Sequence, residues 1–149
     1  MQDEVLLERI KKLVRCTING VNSVTQHGAA AALNGPQEAT RLMTEEYQKR
    51  RDVLFEALGK SPYVQAFCPA GAFYIWARIS PDWPGYKGKS DDWSMTNYLI
   101  DAAGIGSSPG SAFGEAGEGH IRFSFSCSTP QVEEAAALLP DTLKQVGRR

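Results

Sequence analysis

Ser107-Ser108-Pro109-Gly110-Ser111-Ala112-Phe113-Gly114, a glycine-rich gap, and His120-Ile121-Arg122-Phe123-Ser124-Phe125-Ser126 together decide the fold of this chain. The second half alternates. Ile121, Phe123 and Phe125 fall on one side, and Arg122, Ser124 and Ser126 on the other, which is the period of a half-buried strand. One face packs on a core, and the other presents a guanidinium between small polar neighbours. The glycines ahead of it allow a tight turn and a close approach of backbone to other groups. Most arginines on strands are simply solvated. A planar fork carried on a rigid strand nevertheless matches both oxygens of a carboxylate, which makes Arg122 the candidate anion receptor.

Pro109-Gly110-Ser111-x-Phe113-Gly114, the glycine-rich spacer and Ile121-Arg122-Phe123-Ser124-Phe125 resemble the C-terminal signature of the class I and II pyridoxal-phosphate aminotransferases, the aspartate aminotransferase family. Ala31-Ala32-Leu33-Asn34-Gly35-Pro36 and Pro69-Ala70-Gly71-Ala72-Phe73-Tyr74 resemble the same family, in its order. The resemblance covers essentially the whole chain and matches only the last part of such an enzyme. It implies that Arg122 holds the substrate α-carboxylate, with Phe73 near it. It further implies amino transfer from an amino acid to a 2-oxo acid, pyridoxal 5'-phosphate as cofactor of the parent enzyme, and a dimer. The expected fold is α/β of the α+β type: a short antiparallel or mixed sheet covered by helices. Residues 1–35 are expected as a helical remnant of the large domain. Residues 36–149 are expected as the small C-terminal domain with a long interdomain helix.

The family's Schiff-base lysine follows a serine or threonine, with a glycine and an arginine a few residues later. None of Lys11, Lys12, Lys49, Lys60, Lys87, Lys89 and Lys144 has that context. The resemblance therefore implies a substrate clamp, Arg122 with Phe73, and no catalytic or cofactor-binding residue in this chain. The isolated chain is expected to be inactive, with no covalently bound cofactor, and to work as part of a full-length or split enzyme. Its expected partners are a second copy or the missing large domain. The alternative is a non-catalytic aminotransferase-like module that binds a ligand or a partner chain.

Composition excludes several other classes. The chain has 149 residues and a net charge of −1, the size of one ordinary domain and too balanced for a broad nucleic-acid-binding surface. Cys16, Cys68 and Cys127 are odd in number and widely spaced, which reads as free thiols in a reducing cytoplasm. His27 and His120 are too isolated for a metal site. No apolar run is long enough to span a bilayer, and the opening Met-Gln-Asp-Glu is too acidic for a secretory signal. Gly88-Lys89-Ser90 is not a phosphate loop, because Trp83 stands where that loop needs its first glycine. Trp76, Trp83, Tyr86 and Trp93 read as packing.

Along the chain, Leu6, Ile10, Leu13 and Val14 mark one stripe of a first helix, which requires a cover when no large sheet is present. Asn19-Gly20 marks a turn. Ser23 with Gln26 has capping-box spacing for a second helix ending at Asn34-Gly35. Pro36 suits the start of a long third helix with Met43, Tyr47, Leu54 and Leu58 inward and the pairs Glu45–Lys49 and Glu46–Arg50 outside. Strands follow at Tyr63–Cys68 and Ala72–Ile79. Ser90 caps a helix with Met95, Leu99 and Ala102 inward, and Ile105–Ser108 is a short strand. A last helix starts at Thr129-Pro130, with Val132, Ala136, Leu139, Leu143 and Val146 inward. Pro140 is expected to kink or split it.

Overall fold

The computed structural model describes residues 3–18, 20–86, 88 and 91–145. Asn19, Ser90 and Val146, and with them the expected turn, cap and last inward position, lie outside the described residues. The chain divides into two compact units, Met1–Arg41 and Leu42–Arg149.

The first unit is helical. In α1 (Glu4–Thr17) the Asp3 carboxylate caps the N-terminus by accepting from the Leu6 N–H at 3.0 Å. Its expected apolar stripe stays open: Leu6, Ile10, Leu13 and Val14 are all exposed. Helix α2 (Ser23–Asn34) is capped by Asn22 rather than by Ser23. The extended backbone at Asn22 lets its side-chain oxygen reach the Thr25 N–H at 2.9 Å, and Gln26 donates back to the Val21 carbonyl. Helix α3 (Glu38–Gly59) runs from this unit into the next. Pro36 therefore lies ahead of α3 rather than in its first turn. The Gln37 side chain instead bridges back, donating to the Ala32 and Gly35 carbonyls at 2.9 and 3.0 Å.

The second unit is a four-stranded sheet with helices on one face. Strands β1 (Val64–Phe67), β2 (Tyr74–Ile79), β3 (Ser108–Pro109) and β4 (His120–Ser124) are ordered β1-β2-β4-β3, and every pairing is antiparallel. The register places Ile75 opposite Phe123 and Ala77 opposite Ile121. These four are buried together with Leu54 and Leu58 of α3, Met95 and Leu99 of α4 (Asp91–Ala103), and Val132, Leu139 and Leu143 of α5 (Thr129–Lys144). Full burial of each aliphatic side chain is worth about 1.5–3 kcal/mol, so this layer fixes the sheet.

Two inward assignments and one helix break change. Met43 is exposed, because the core begins further along α3. Ala102 is exposed and Ala103 packs on the core instead, one residue round the helix. Segment α5 is one helix across Pro140 rather than two. Leu139 and Leu143, both fully buried, pin the turns on either side of the proline, and that burial outweighs the lost backbone hydrogen bond.

A polar clamp ties α3 to the start of α5. Arg50 donates from Nε to the Thr129 hydroxyl at 2.9 Å and from Nη1 to the Cys127 carbonyl at 2.6 Å. Thr129 in turn donates to the Glu46 carboxylate, which also pairs with Arg50 and Lys49. The Thr129 hydrogen bond, helped by the two cations, holds the Glu46 carboxyl below its ordinary value of 4.5 against a smaller opposing desolvation. A depressed carboxylate pKa contributes stability that is full above the unfolded value and disappears as pH falls through the folded one. Wild type is therefore expected to exceed Glu46→Gln in stability at neutral pH, and the gap should narrow as the pH falls below the ordinary value of 4.5 and through the lowered one. Urea unfolding of both proteins across this range checks it. A gap that persists undiminished into acid contradicts the assignment.

Candidate functional site

The alternation that buries Ile121 and Phe123 turns Arg122 to the opposite face of β4. There it lies in register between Trp76 of β2 and Ser108 of β3. Its Nη2 donates to the Ser108 hydroxyl at 3.3 Å. Its Nε is buried without an acceptor among the described residues. The guanidinium carbon lies 4.5 Å from the Phe113 ring centroid and 5.2 Å from that of Tyr74. Among the described residues no carboxylate is paired with it. A half-buried cation held by ring faces, with no internal anion, is arranged to receive an external one.

The Pro109-Gly110-Ser111-Ala112-Phe113-Gly114 segment builds one wall. After Pro109 the chain makes a 3-10 turn over Gly110–Phe113 and reverses at Gly114, whose φ is 110°. A Cβ on Gly110 would overlap the Gly117 carbonyl and come within 2.8 Å of the His120 carbonyl. Only glycine brings this turn so close to the strand. The approach sets the Phe113 ring over Arg122 and 5.8 Å from Trp76, edge to face. His120 stacks on Trp76 at 5.7 Å, and its Nδ1 lies 2.9 Å from the Glu118 carbonyl. The loop is tied to α4 by the Asp92 carboxylate, which accepts from the Ser111 N–H at 2.6 Å.

Phe73 lies just before β2, after Ala72, whose φ is 65°. A left-handed alanine costs roughly 1–2 kcal/mol, held here by the sheet on either side. The Phe73 carbonyl accepts from the Phe125 N–H at 2.9 Å. Its ring is half exposed, 5.9 Å from Tyr74 and 6.3 Å from Tyr47. Phe73 thus reaches the arginine through Tyr74. The rings that meet the guanidinium are Tyr74 and Phe113, and sequence reasoning assigned neither to it. The strand period put Tyr74 on the Arg122 side of the sheet and so held the signal for Tyr74. Nothing in the local pattern tied Asp92 or Phe113 to Arg122, because that link depends on the turn.

Among the described residues no group of three metal-ligating side chains is present. No described helix is long and apolar enough to cross a membrane. Cys16, Cys68 and Cys127 are free and exposed.

Residues 2–139 match the family described as aminotransferase class I and II. The chain is 32% identical over 140 residues to the LL-diaminopimelate aminotransferase of Desulforudis audaxviator, covering 94% of this chain and 34% of that protein. Its fold superposes on the alanine aminotransferase from Pyrococcus furiosus with a TM-score of 0.81 at 27% identity, over 97% of this chain and 36% of that one. An aromatic aminotransferase from Pyrococcus horikoshii gives 0.79 at 31% identity, over 93% and 36%. The chain therefore spans about a third of the length of the relatives it matches. A match across nearly the whole sequence, and a sheet that superposes on solved enzymes of this kind, place the chain in the class I and II aminotransferases.

Proposed function

We propose that the chain supplies the substrate clamp of an aminotransferase moving an amino group between an amino acid and a 2-oxo acid. The observation that carries this is Arg122: a cation on a rigid strand, oriented by two rings and a hydroxyl, with no carboxylate partner among the described residues. Binding the α-carboxylate through both terminal nitrogens fixes how the amino acid is presented to the reacting centre. Phe73 supports the aromatic wall through Tyr74. In this reading residues 1–35 belong to the large domain and 36–149 to the small one.

Pyridoxal 5'-phosphate, the family's cofactor, supplies the electron sink for amino transfer when bound. The side chains here do not fit that group. The described lysines lie on helices or, for Lys60, in the turn just past α3, and Lys11, Lys49, Lys60 and Lys144 are solvent-facing and paired with Glu8, Glu46, Glu56 and Asp141. Within the second unit, Lys49, Lys60 and Lys144 lie outside the strands of the sheet that carries Arg122. In this reading the cofactor lysine comes from other polypeptide, because none of the seven lysines has the sequence context of the family's Schiff-base lysine, and this chain alone does not catalyse transfer. The test mixes the chain with pyridoxal phosphate, reduces with borohydride and maps adducts by mass spectrometry. Slow, scattered labelling of surface lysines is the expected outcome. Stoichiometric labelling of one lysine accompanied by transamination refutes the reading.

A further inference from the structure

By sequence, Asp92 with Asp91 suits the positive end of α4. Asp92 is completely buried, and its Oδ1 has no partner among the described residues. A carboxylate is costly to hide from water, so its place calls for an interaction that an apolar residue could not make. Its other oxygen makes one: Oδ2 accepts from the Ser111 N–H at 2.6 Å, inside the turn Gly110–Phe113.

That turn is held from two sides. Gly110 is pressed against the Gly117 and His120 carbonyls and cannot move toward β4. Asp92 holds the adjacent amide from α4 and prevents it from moving away. The ring of Phe113, at the end of the turn, is the nearer of the two faces over Arg122. Beside Phe113, Arg122 is oriented by the more distant Tyr74 ring and a single 3.3 Å bond to Ser108, its Nε having no acceptor among the described residues. We propose that Asp92 is a positioning residue for the carboxylate clamp: by anchoring the Ser111 amide it sets Phe113 on the guanidinium and so preorganises the fork of Arg122. This rests on the reading of Arg122 as the clamp.

The test uses the full chain labelled with nitrogen-15 and follows the Arg122 Nε–Hε signal, identified by its disappearance in Arg122→Lys. Acetate is the carboxylate probe. Asp92→Leu removes the acceptor at similar volume, and Asp92→Asn keeps an accepting oxygen. Asp92→Ala, which leaves room for a water, carries the same test should the leucine variant not fold. In the leucine or alanine variant the Arg122 signal is expected to leave its ring-shifted position and the acetate Kd to rise about tenfold, the cost of a lost preorganisation. The asparagine variant should stay within about twofold of wild type, because it still accepts from the amide.

An unmoved Arg122 signal and an unchanged Kd in the leucine or alanine variant overturn the proposal. So does an asparagine variant as impaired as either. The clamp reading fails separately: if acetate leaves the wild-type Arg122 signal in place while Asp92→Leu still displaces it, Asp92 positions Arg122 but Arg122 is no carboxylate receptor.

Discussion

Arg122→Lys is expected to lower kcat/KM for an α-amino acid by about 100-fold once the chain is complemented by the polypeptide that supplies the cofactor lysine. Lysine keeps the charge. It loses the planar fork and its stacking between Phe113 and Tyr74, 4.5 and 5.2 Å from the guanidinium carbon. A single ammonium head swivels, and a misplaced carboxylate misplaces the bond to be broken at the neighbouring carbon. Arg122→Ala should be worse, since the charge goes as well. An amine lacking the α-carboxylate makes no use of the clamp and should be slowed far less by either change. Steady-state kinetics on both substrates separate the possibilities. Equal losses on acid and amine would make Arg122 a purely structural residue, and no loss on either would return it to the ordinary solvated arginine of a strand.

Gly110→Ala should be strongly destabilising. Its Cβ would meet the Gly117 carbonyl, and a backbone atom cannot rotate away as a side chain can. Overpacking of this sort costs about 3 kcal/mol, corresponding to a Tm lower by roughly 10 °C in a domain of this size. Gly59→Ala is the control. A Cβ there meets nothing within 4 Å, and the position closes a helix, so its Tm should hold or rise. Calorimetry of the two variants decides. A Gly110→Ala protein as stable as wild type would mean that the turn can retreat from β4, and Phe113 would then have no fixed seat over the arginine.

Period was the legible part of this sequence. The alternation through His120–Ser126 placed Arg122 opposite the core before any fold was known, and the apolar positions of α4 and α5 gave Met95, Leu99, Leu139 and Leu143 correctly. Two kinds of information were not local. Ser23 and Asn22 are both good caps, and only the extended backbone at Asn22 decides between them. The seats of Met43 and Ala102 depend on where along and around a helix the core begins, which neighbouring elements set. The surroundings of Arg122 were hidden for the same reason. Tyr74 comes from a different segment than Ser108 and Phe113, and Asp92 reads as an acid suited to a helix start until α4 is seen against the turn.

The order β1-β2-β4-β3 also bears on how open the sheet's edges are to another chain's strand. The two longest strands, β2 with six residues and β4 with five, occupy the middle of the sheet, where both flanks of each are taken by neighbours. The rims fall to β1 with four residues and β3 with two. β3 ends in a proline that has no amide hydrogen to offer. A rim of two residues is a poor template for another chain's strand. The sheet that carries Arg122 is thus guarded against edge-to-edge growth on the side nearest its arginine, by the same Ser108-Pro109 pair that borders the candidate site.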